Sequence, residues 1–226
     1  MTSNKYILSF LRELNENNNR EWFAANKETY NAAADFFKKE VAELIAKISE
    51  FDSEIKYLAP ENCVFRIYRD IRFSPDKTPY KTHFGAYMAA GGGRKSPLAG
   101  YYFHFAHNEV FLSGGVYCPE KETLKAIRKA IDENFDELNE IVSEKNFKKY
   151  FGKMIPFEQS LTKVPAGFSS DSPAAEWLKF KHFGIEHFVD EQTLCSGNFT
   201  DYAAKVFAAM KNFNTFFNET IREVKR

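Results

Sequence analysis

Val64 to Phe84, VFRIYRDIRFSPDKTPYKTHF, gathers the residues of this chain best suited to chemistry. Arg66, Arg69, Arg72, Lys77 and Lys81 stand there against only Asp70 and Asp76, with Tyr68, Tyr80 and His83 among them. A guanidinium presents a rigid fork of donors that matches a phosphate or carboxylate, and an ammonium adds a compact charge. The stretch therefore suits a small-anion site, binding a phosphate- or carboxylate-bearing ligand through Arg66, Arg69, Arg72, Lys77 and Lys81. Within such a site Asp70 or Asp76 is the candidate general base, and Tyr80 or Lys77 the candidate acid. From Val64 to Lys95 seven basic residues meet two acidic ones, a local excess of +5.

Two other readings use the same residues. A nucleic-acid-associated module would take its phosphate and stacking contacts from this stretch, Tyr68, Tyr80 and the Arg94-Lys95 loop. The chain's 31 basic and 31 acidic residues cancel, however, so no whole-chain field attracts nucleic acid. A structural or interaction protein would instead hold these charges as an internal salt-bridge network.

Named mechanisms fit less well. GGGRKS (Gly91 to Ser96) has Arg94 where a phosphate loop has glycine, and Pro97 stands where a helix should begin. Pro75-Asp76 could open a metal-dependent nuclease signature, but no acid-x-Lys follows on the next strands. His104 and His107 are three apart, which on a strand sends them to opposite faces, and His182 and His187 form no ligand pattern either. Cys118, before a helix start, has no partner histidine suggested by the sequence. No metal site is read, and no cofactor is indicated.

The elements that position the charged stretch follow from periodicity. Ile7, Phe10, Leu11 and Leu14 recur at helical spacing after a Ser3 or Asn4 cap, and NENNN (Asn15 to Asn19) ends that helix. Asn18 with Glu21 reads as a capping box for one long helix, whose stripe runs Phe23, Asn26, Tyr30, Ala33, Phe37, Val41, Leu44 and Ile48. From Val64 the period becomes two. Phe65, Ile67, Ile71 and Phe73 point one way, and Arg66, Tyr68, Asp70 and Arg72 the other. Strict alternation leaves Arg69 on the apolar face, where an unpaired guanidinium would cost several kcal/mol. Either a bulge re-aims it or a carboxylate pairs with it.

Pro75 and Pro79 flank a turn, a second strand lies near Phe84 to Met88, and AAGGGRKSP (Ala89 to Pro97) is a flexible loop. Tyr101 to Ala106 and Glu109 to Tyr117 form a hairpin about His107-Asn108, pairing Phe105 with Val110, Phe103 with Leu112 and Tyr101 with Gly114. Gly114-Gly115 marks a bulge or a close approach of another backbone or a ligand. Helices follow after Pro119, through Trp177 and Leu178, and from about Phe199 to Arg222, with an edge strand near residues 184–189. Helices, then strands, then helices predict a single α+β domain over residues 1–226. Its mostly antiparallel sheet has about four to six strands, in residues 64–117 and 184–189, covered on one face by N-terminal and C-terminal helices.

Forty-four per cent hydrophobic residues, with 24 phenylalanines, support a packed core. The start, MTSNKYILSFLREL, reads as no signal peptide, and no apolar run approaches the ~20 residues of a membrane span. Cys63, Cys118 and Cys195 are scattered, which suits reduced thiols in a cytoplasm.

R-x-x-R-D-x-R-F-S-x-D-K-x-P-Y-K-T, here Arg66 to Thr82, resembles the signature of domain-of-unknown-function family 2461. The resemblance extends to NNNREWF (Asn17 to Phe23), GYYFHF (Gly100 to Phe105), SGGVY (Ser113 to Tyr117) and LTKVPAGF (Leu161 to Phe168). It implies a single domain and makes Arg66, Arg69, Asp70, Arg72, Asp76, Lys77, Tyr80 and Lys81 signature positions. It implies no particular substrate.

Overall fold

A computed structural model of the chain describes residues 3–152 and 160–225. Helix α1 (Asn4–Glu16) starts after an extended Ser3 and stops at Asn17, whose N–H reaches back to the Glu13 carbonyl. Asn19 caps α2 (Arg20–Ala25) by accepting the Trp22 N–H at 2.9 Å. The cap is thus one residue beyond Asn18, which has another task at Tyr80. The long helix expected here is divided. Asn26 returns its side-chain Nδ2 to the Trp22 carbonyl at 2.9 Å and ends α2, and α3 (Lys27–Ile48) begins at the next residue. The apolar stripe survives the break, because Phe23, Ala33, Phe37, Val41, Leu44 and Ile48 are all buried.

After the short α4 (Pro60–Cys63) come strands β1 (His83–Met88), β2 (Gly100–Ala106) and β3 (Val110–Val116). Helices α5 (Lys121–Glu133), α6 (Phe135–Ser143), α7 (Lys145–Phe151) and α8 (Ala175–Leu178) follow, then β4 (Phe183–Phe188). The chain closes with α9 (Glu191–Leu194), α10 (Phe199–Ala208) and α11 (Lys211–Val224). The strands form one antiparallel sheet in the order β1-β2-β3-β4. This is the expected α+β class. The hairpin keeps its expected register, with Phe105 opposite Val110, Phe103 opposite Leu112 and Tyr101 opposite Gly114. β4 is the edge strand anticipated near residue 184.

One face of the sheet meets the helices. Helix α3 packs over β1, and α10 and α11 pack over β3. The contacts are largely aromatic: Phe37 lies 5.3 Å from Phe84 and 5.2 Å from Phe103, and Phe103 lies 5.2 Å from Phe199. Phe183 on β4 meets Phe217 on α11 at 5.3 Å. Much of the abundant phenylalanine of the sequence thus goes into the layer between sheet and helices.

The glycine pair in β3 is a close approach and not a break in the ladder. Pairing continues through Gly115 on both sides, to Gly100 and to Gly184. A Cβ on Gly115, whose φ is +96°, would stand 2.0 Å from the Phe183 carbonyl oxygen. Asn214 of α11 fixes this point. Its Oδ1 accepts the Gly115 N–H at 2.8 Å and its Nδ2 donates to the Gly100 carbonyl at 3.0 Å. One turn on, Asn218 holds both backbone groups of Ala99, at 2.7 and 3.0 Å.

Val64 to Phe73 is the main departure from expectation, since it forms only isolated bridges and no strand of the sheet. Val64 bridges Ala86, Tyr68 bridges Tyr80, and Lys81 donates its N–H to the Ile67 carbonyl at 2.8 Å. The segment therefore touches β1 briefly and then pairs with its own return arm. Pro79 offers no N–H to continue a ladder, although its carbonyl accepts from Arg69 N–H at 3.0 Å. The alternating faces dissolve accordingly: Ile67 is buried, but Phe73 is 94% exposed at the tip of the turn.

Candidate functional site

The sheet face turned away from the helices carries His83, Tyr87, Tyr102, His104, Phe111, Ser113 and Glu186, by the alternation of residues along paired strands. A cleft of about 770 Å³ opens on it, within the range of small-molecule sites. Tyr102, Phe111, Ser113 and Glu186 form its floor, Phe65 and Lys81 one wall, and Leu98, Cys118 and Glu120 lie among the remaining residues around it.

Rings meet across the strands. His83 lies 4.5 Å from His104, which stacks on Phe111 at 4.5 Å, and Phe111 reaches Phe188 at 5.7 Å. Tyr102 packs against Phe111 at 5.8 Å, and its hydroxyl lies 3.0 Å from His104 Nδ1. Room for the Tyr102 ring comes from Gly85, where a Cβ would approach its hydroxyl to 2.9 Å.

The electrostatics of the cleft are set by burial. Desolvation, then repulsion from the Lys81 ammonium, lowers the His83 imidazole to about 4. Desolvation, then His83, lowers His104 to about 4. Both rings are neutral at pH 7. Burial, with Glu109 nearby, raises the Glu186 carboxyl above the usual range. Burial also pushes Tyr102 up to about 12, with a contribution from Glu186. Lys81 is lowered by desolvation first and by Arg66 second. Its ammonium sits 5.4 Å from the Phe65 ring centre and makes no hydrogen bond or ion pair among the described residues. A charged donor held without a carboxylate partner beside neutral aromatic rings can receive an anion.

The other residues of the charged stretch are placed differently. Arg69 binds Asp76 and the Thr78 hydroxyl, with further contacts to the Thr78 carbonyl at 3.2 Å and Ser74 Oγ at 3.4 Å. Its side chain is 24% exposed, so of the two accounts open for it, pairing with a carboxylate is the one realised. Asp76 also accepts the Thr78 N–H and hydroxyl, and these contacts with Arg69 lower its carboxyl to about 2. Asp70 and Arg72 form a two-pronged pair at 2.9 and 2.6 Å in solvent, and the Asp70 carboxyl is lowered by it. Lys77 donates to the Ile71 carbonyl at 3.0 Å.

Tyr80 is buried, stacked on Phe23 at 3.9 Å, and Asn18 holds its backbone C=O and N–H at 2.9 and 3.1 Å. Arg66 is exposed and makes no ion pair among the described residues. The turn thus unites Arg69 with Asp76 and Asp70 with Arg72, and of the eight signature residues Lys81 alone lines the cleft. Tyr102, His104, Phe111, Ser113 and Glu186 were not singled out as site residues. Their signal was available in the second face of the hairpin, where tyrosine, histidine and phenylalanine occupy positions that usually go to charged residues.

A helix-backed antiparallel sheet with a cleft on its other face defines an α+β protein with a candidate small-molecule site. The chain belongs to the family described as conserved hypothetical protein (DUF2461), which matches residues 6–216. No curated protein and no solved structure shows significant similarity to it. No helix among the described residues is long and apolar enough to cross a membrane.

Proposed function

We propose that the protein binds a small ligand bearing a phosphate or carboxylate in the cleft, with the anion at Lys81 and an apolar or ring portion against Phe65, Tyr102 and Phe111. The observation that carries this reading is the partly desolvated Lys81 ammonium, without an ion pair among the described residues, on the wall of a cavity of about 770 Å³ floored by aromatic rings. Arg66 adds positive potential behind Lys81. Glu186, whose carboxyl is raised by burial, is the group in the cleft suited to hold or transfer a proton, with the neutral Tyr102 hydroxyl beside it. The small-anion reading of the charged stretch is retained, but its centre moves to Lys81.

A second reading applies to the rest of that stretch. The Arg69–Asp76–Thr78 network supports an internal brace, so Asp70, Arg72, Asp76 and Lys77 hold the turn that presents Phe65 and Lys81. A thermal-shift screen of nucleotides, sugar phosphates, aromatic carboxylates and single-stranded oligonucleotides tests both. A binder at about 100 times its dissociation constant stabilises by ~2.7 kcal/mol, roughly 5–10 °C for a chain of this size. Monoanionic or dianionic small molecules should shift the transition with shallow salt dependence. Oligonucleotide binding that falls roughly a thousandfold between about 50 and 200 mM salt would favour the nucleic-acid reading instead.

A further inference from the structure

The cleft floor has a polar half beside its aromatic one. Register places Tyr87, Tyr102, Ser113 and Glu186 in one row across the four strands, all on the cleft face. The two tyrosine hydroxyls are engaged: Tyr87 donates to the Leu98 carbonyl at 2.6 Å, and Tyr102 meets His104 Nδ1 at 3.0 Å. Ser113 and Glu186 are not. Ser113 is only 8% exposed, yet its Oγ makes no hydrogen bond among the described residues, and Glu186 makes neither a hydrogen bond nor an ion pair there. Their oxygens are not sealed into the interior, and both residues line the cleft. They stand directly opposite each other on β3 and β4, where Cβ atoms are about 4.5–5.5 Å apart, and still do not bond to each other. In the next row the same strands carry Gly115 and Gly184, so neither puts a side chain beside the pair on that side. The cleft's remaining carboxylate and ammonium, Glu120 and Lys225, bind each other at 2.7 Å. Open polar capacity is therefore divided between Lys81 on the wall and Ser113 with Glu186 on the floor.

Building on the small-anion function proposed for the cleft, we infer that its ligand is a nucleotide-like heterocyclic phosphate. The phosphate lies at Lys81, and the hydrogen-bonding edge of the ring lies at Ser113 and Glu186. A carboxyl oxygen accepts an N–H, while a serine hydroxyl can donate to a ring nitrogen or carbonyl. Side by side they match a ring edge that carries a donor next to an acceptor, as nucleobases do. Taking up a proton leaves Glu186 an acceptor oxygen and adds an O–H donor, so the contact survives the protonation that its raised carboxyl favours. Phe65, beside Lys81, donates its N–H to the Gly85 carbonyl of β1 at 2.9 Å, and β1 and β4 are three strand spacings apart, roughly 14 Å. Side chains reaching inward shorten that gap, and what remains suits an extended ligand with its ring and its anion at opposite ends. The flat ring has Tyr102 and Phe111 to lie against.

The test is calorimetry on the full chain with adenosine monophosphate and uridine monophosphate. Each is set beside an analogue whose base N–H groups are removed by methylation, and ribose phosphate serves as the probe that lacks a base. At least one parent nucleotide should bind about tenfold or more tightly than both its methylated analogue and ribose phosphate. In Glu186→Ala that preference should shrink to within about threefold, and in Lys81→Ala all the phosphates should weaken together. Ser113→Ala, which removes one hydroxyl and keeps the strand, should weaken the parent nucleotide by about threefold to tenfold. Equal binding of parents and methylated analogues, with the dependence on Lys81 intact, would overturn the nucleotide assignment and leave the small-anion function standing. Nucleotide binding indifferent to Lys81→Ala would overturn both. Should none of these probes bind, the nucleotide assignment fails, and the wider thermal-shift screen decides the small-anion function by itself. If Glu186→Ala does not fold, a parent affinity unchanged in Ser113→Ala would overturn the assignment equally.

Discussion

Arg69 directs its guanidinium inward, to Asp76, Thr78 and Ser74, and thereby closes the turn between residues 69 and 79. Arg69→Ala should lower the melting temperature by a few degrees, roughly what about 1–2 kcal/mol produces in a chain this long. It should leave anion binding measurable. Asp76, lowered to about 2 from 3.8, contributes stability above its unfolded value that disappears as pH falls through the folded one. Denaturant melts of wild type and Asp76→Asn should therefore converge between about pH 4 and 2. The imidazoles of His83 and His104, lowered to about 4 from 6.5, have the related dependence for a base kept neutral. Their contribution is complete above about pH 6.5 and is lost as pH falls through about 4. Proton NMR should find both rings still neutral at about pH 5, and titration of either near pH 6.5 would refute their burial. That Arg69 needed special treatment was legible in its place between Ile67 and Ile71. Its partner was not, because nothing in the spacing chose among Asp70, Asp76 and a bulge.

Asparagine side chains locking backbone from a distance recur among the elements. Asn18 holds Tyr80, Asn214 joins Gly100 to Gly115, and Asn218 holds Ala99. Asn214→Leu removes two buried hydrogen bonds and strands a backbone N–H and a carbonyl, so it should cost about 2–5 kcal/mol by denaturant unfolding. A loss below about 1 kcal/mol would mean that water replaces the clamp. The hairpin register was readable because one apolar face and a two-residue turn admit a single pairing. Val64 to Phe73 misled by the same logic. It alternates like a strand, yet side-chain pairing within the turn and the missing N–H of Pro79 organise it instead. The long stripe from Phe23 to Ile48 was legible as a buried face, and the interruption by Asn26 was not, since an asparagine on the stripe can either cap or continue a helix.

At the scale of the molecule, helices cover one sheet face and leave the other, with its aromatic floor, to a cleft. The charged stretch flanks that cleft and supplies Phe65 and Lys81 to its wall. This arrangement was hidden in the sequence, because the floor comes from β2, β3 and β4 and the wall from a segment more than a hundred residues before β4. The raised Glu186 carboxyl and lowered Lys81 ammonium together predict a direction for pH dependence. Affinity for an anion should rise as pH falls and Glu186 becomes protonated, and should decline at alkaline pH earlier than an ordinary lysine would require. Isothermal titration across that range would detect either limb. The most direct measurement of the central claim repeats the small-anion screen on wild type, Lys81→Ala and Arg72→Ala. The cleft account predicts ligands whose thermal shift persists in Arg72→Ala and falls at least tenfold in affinity, about 1.4 kcal/mol, in Lys81→Ala. Anions that bind Lys81→Ala as well as wild type but lose affinity in Arg72→Ala would contradict it and return the site to the exposed turn.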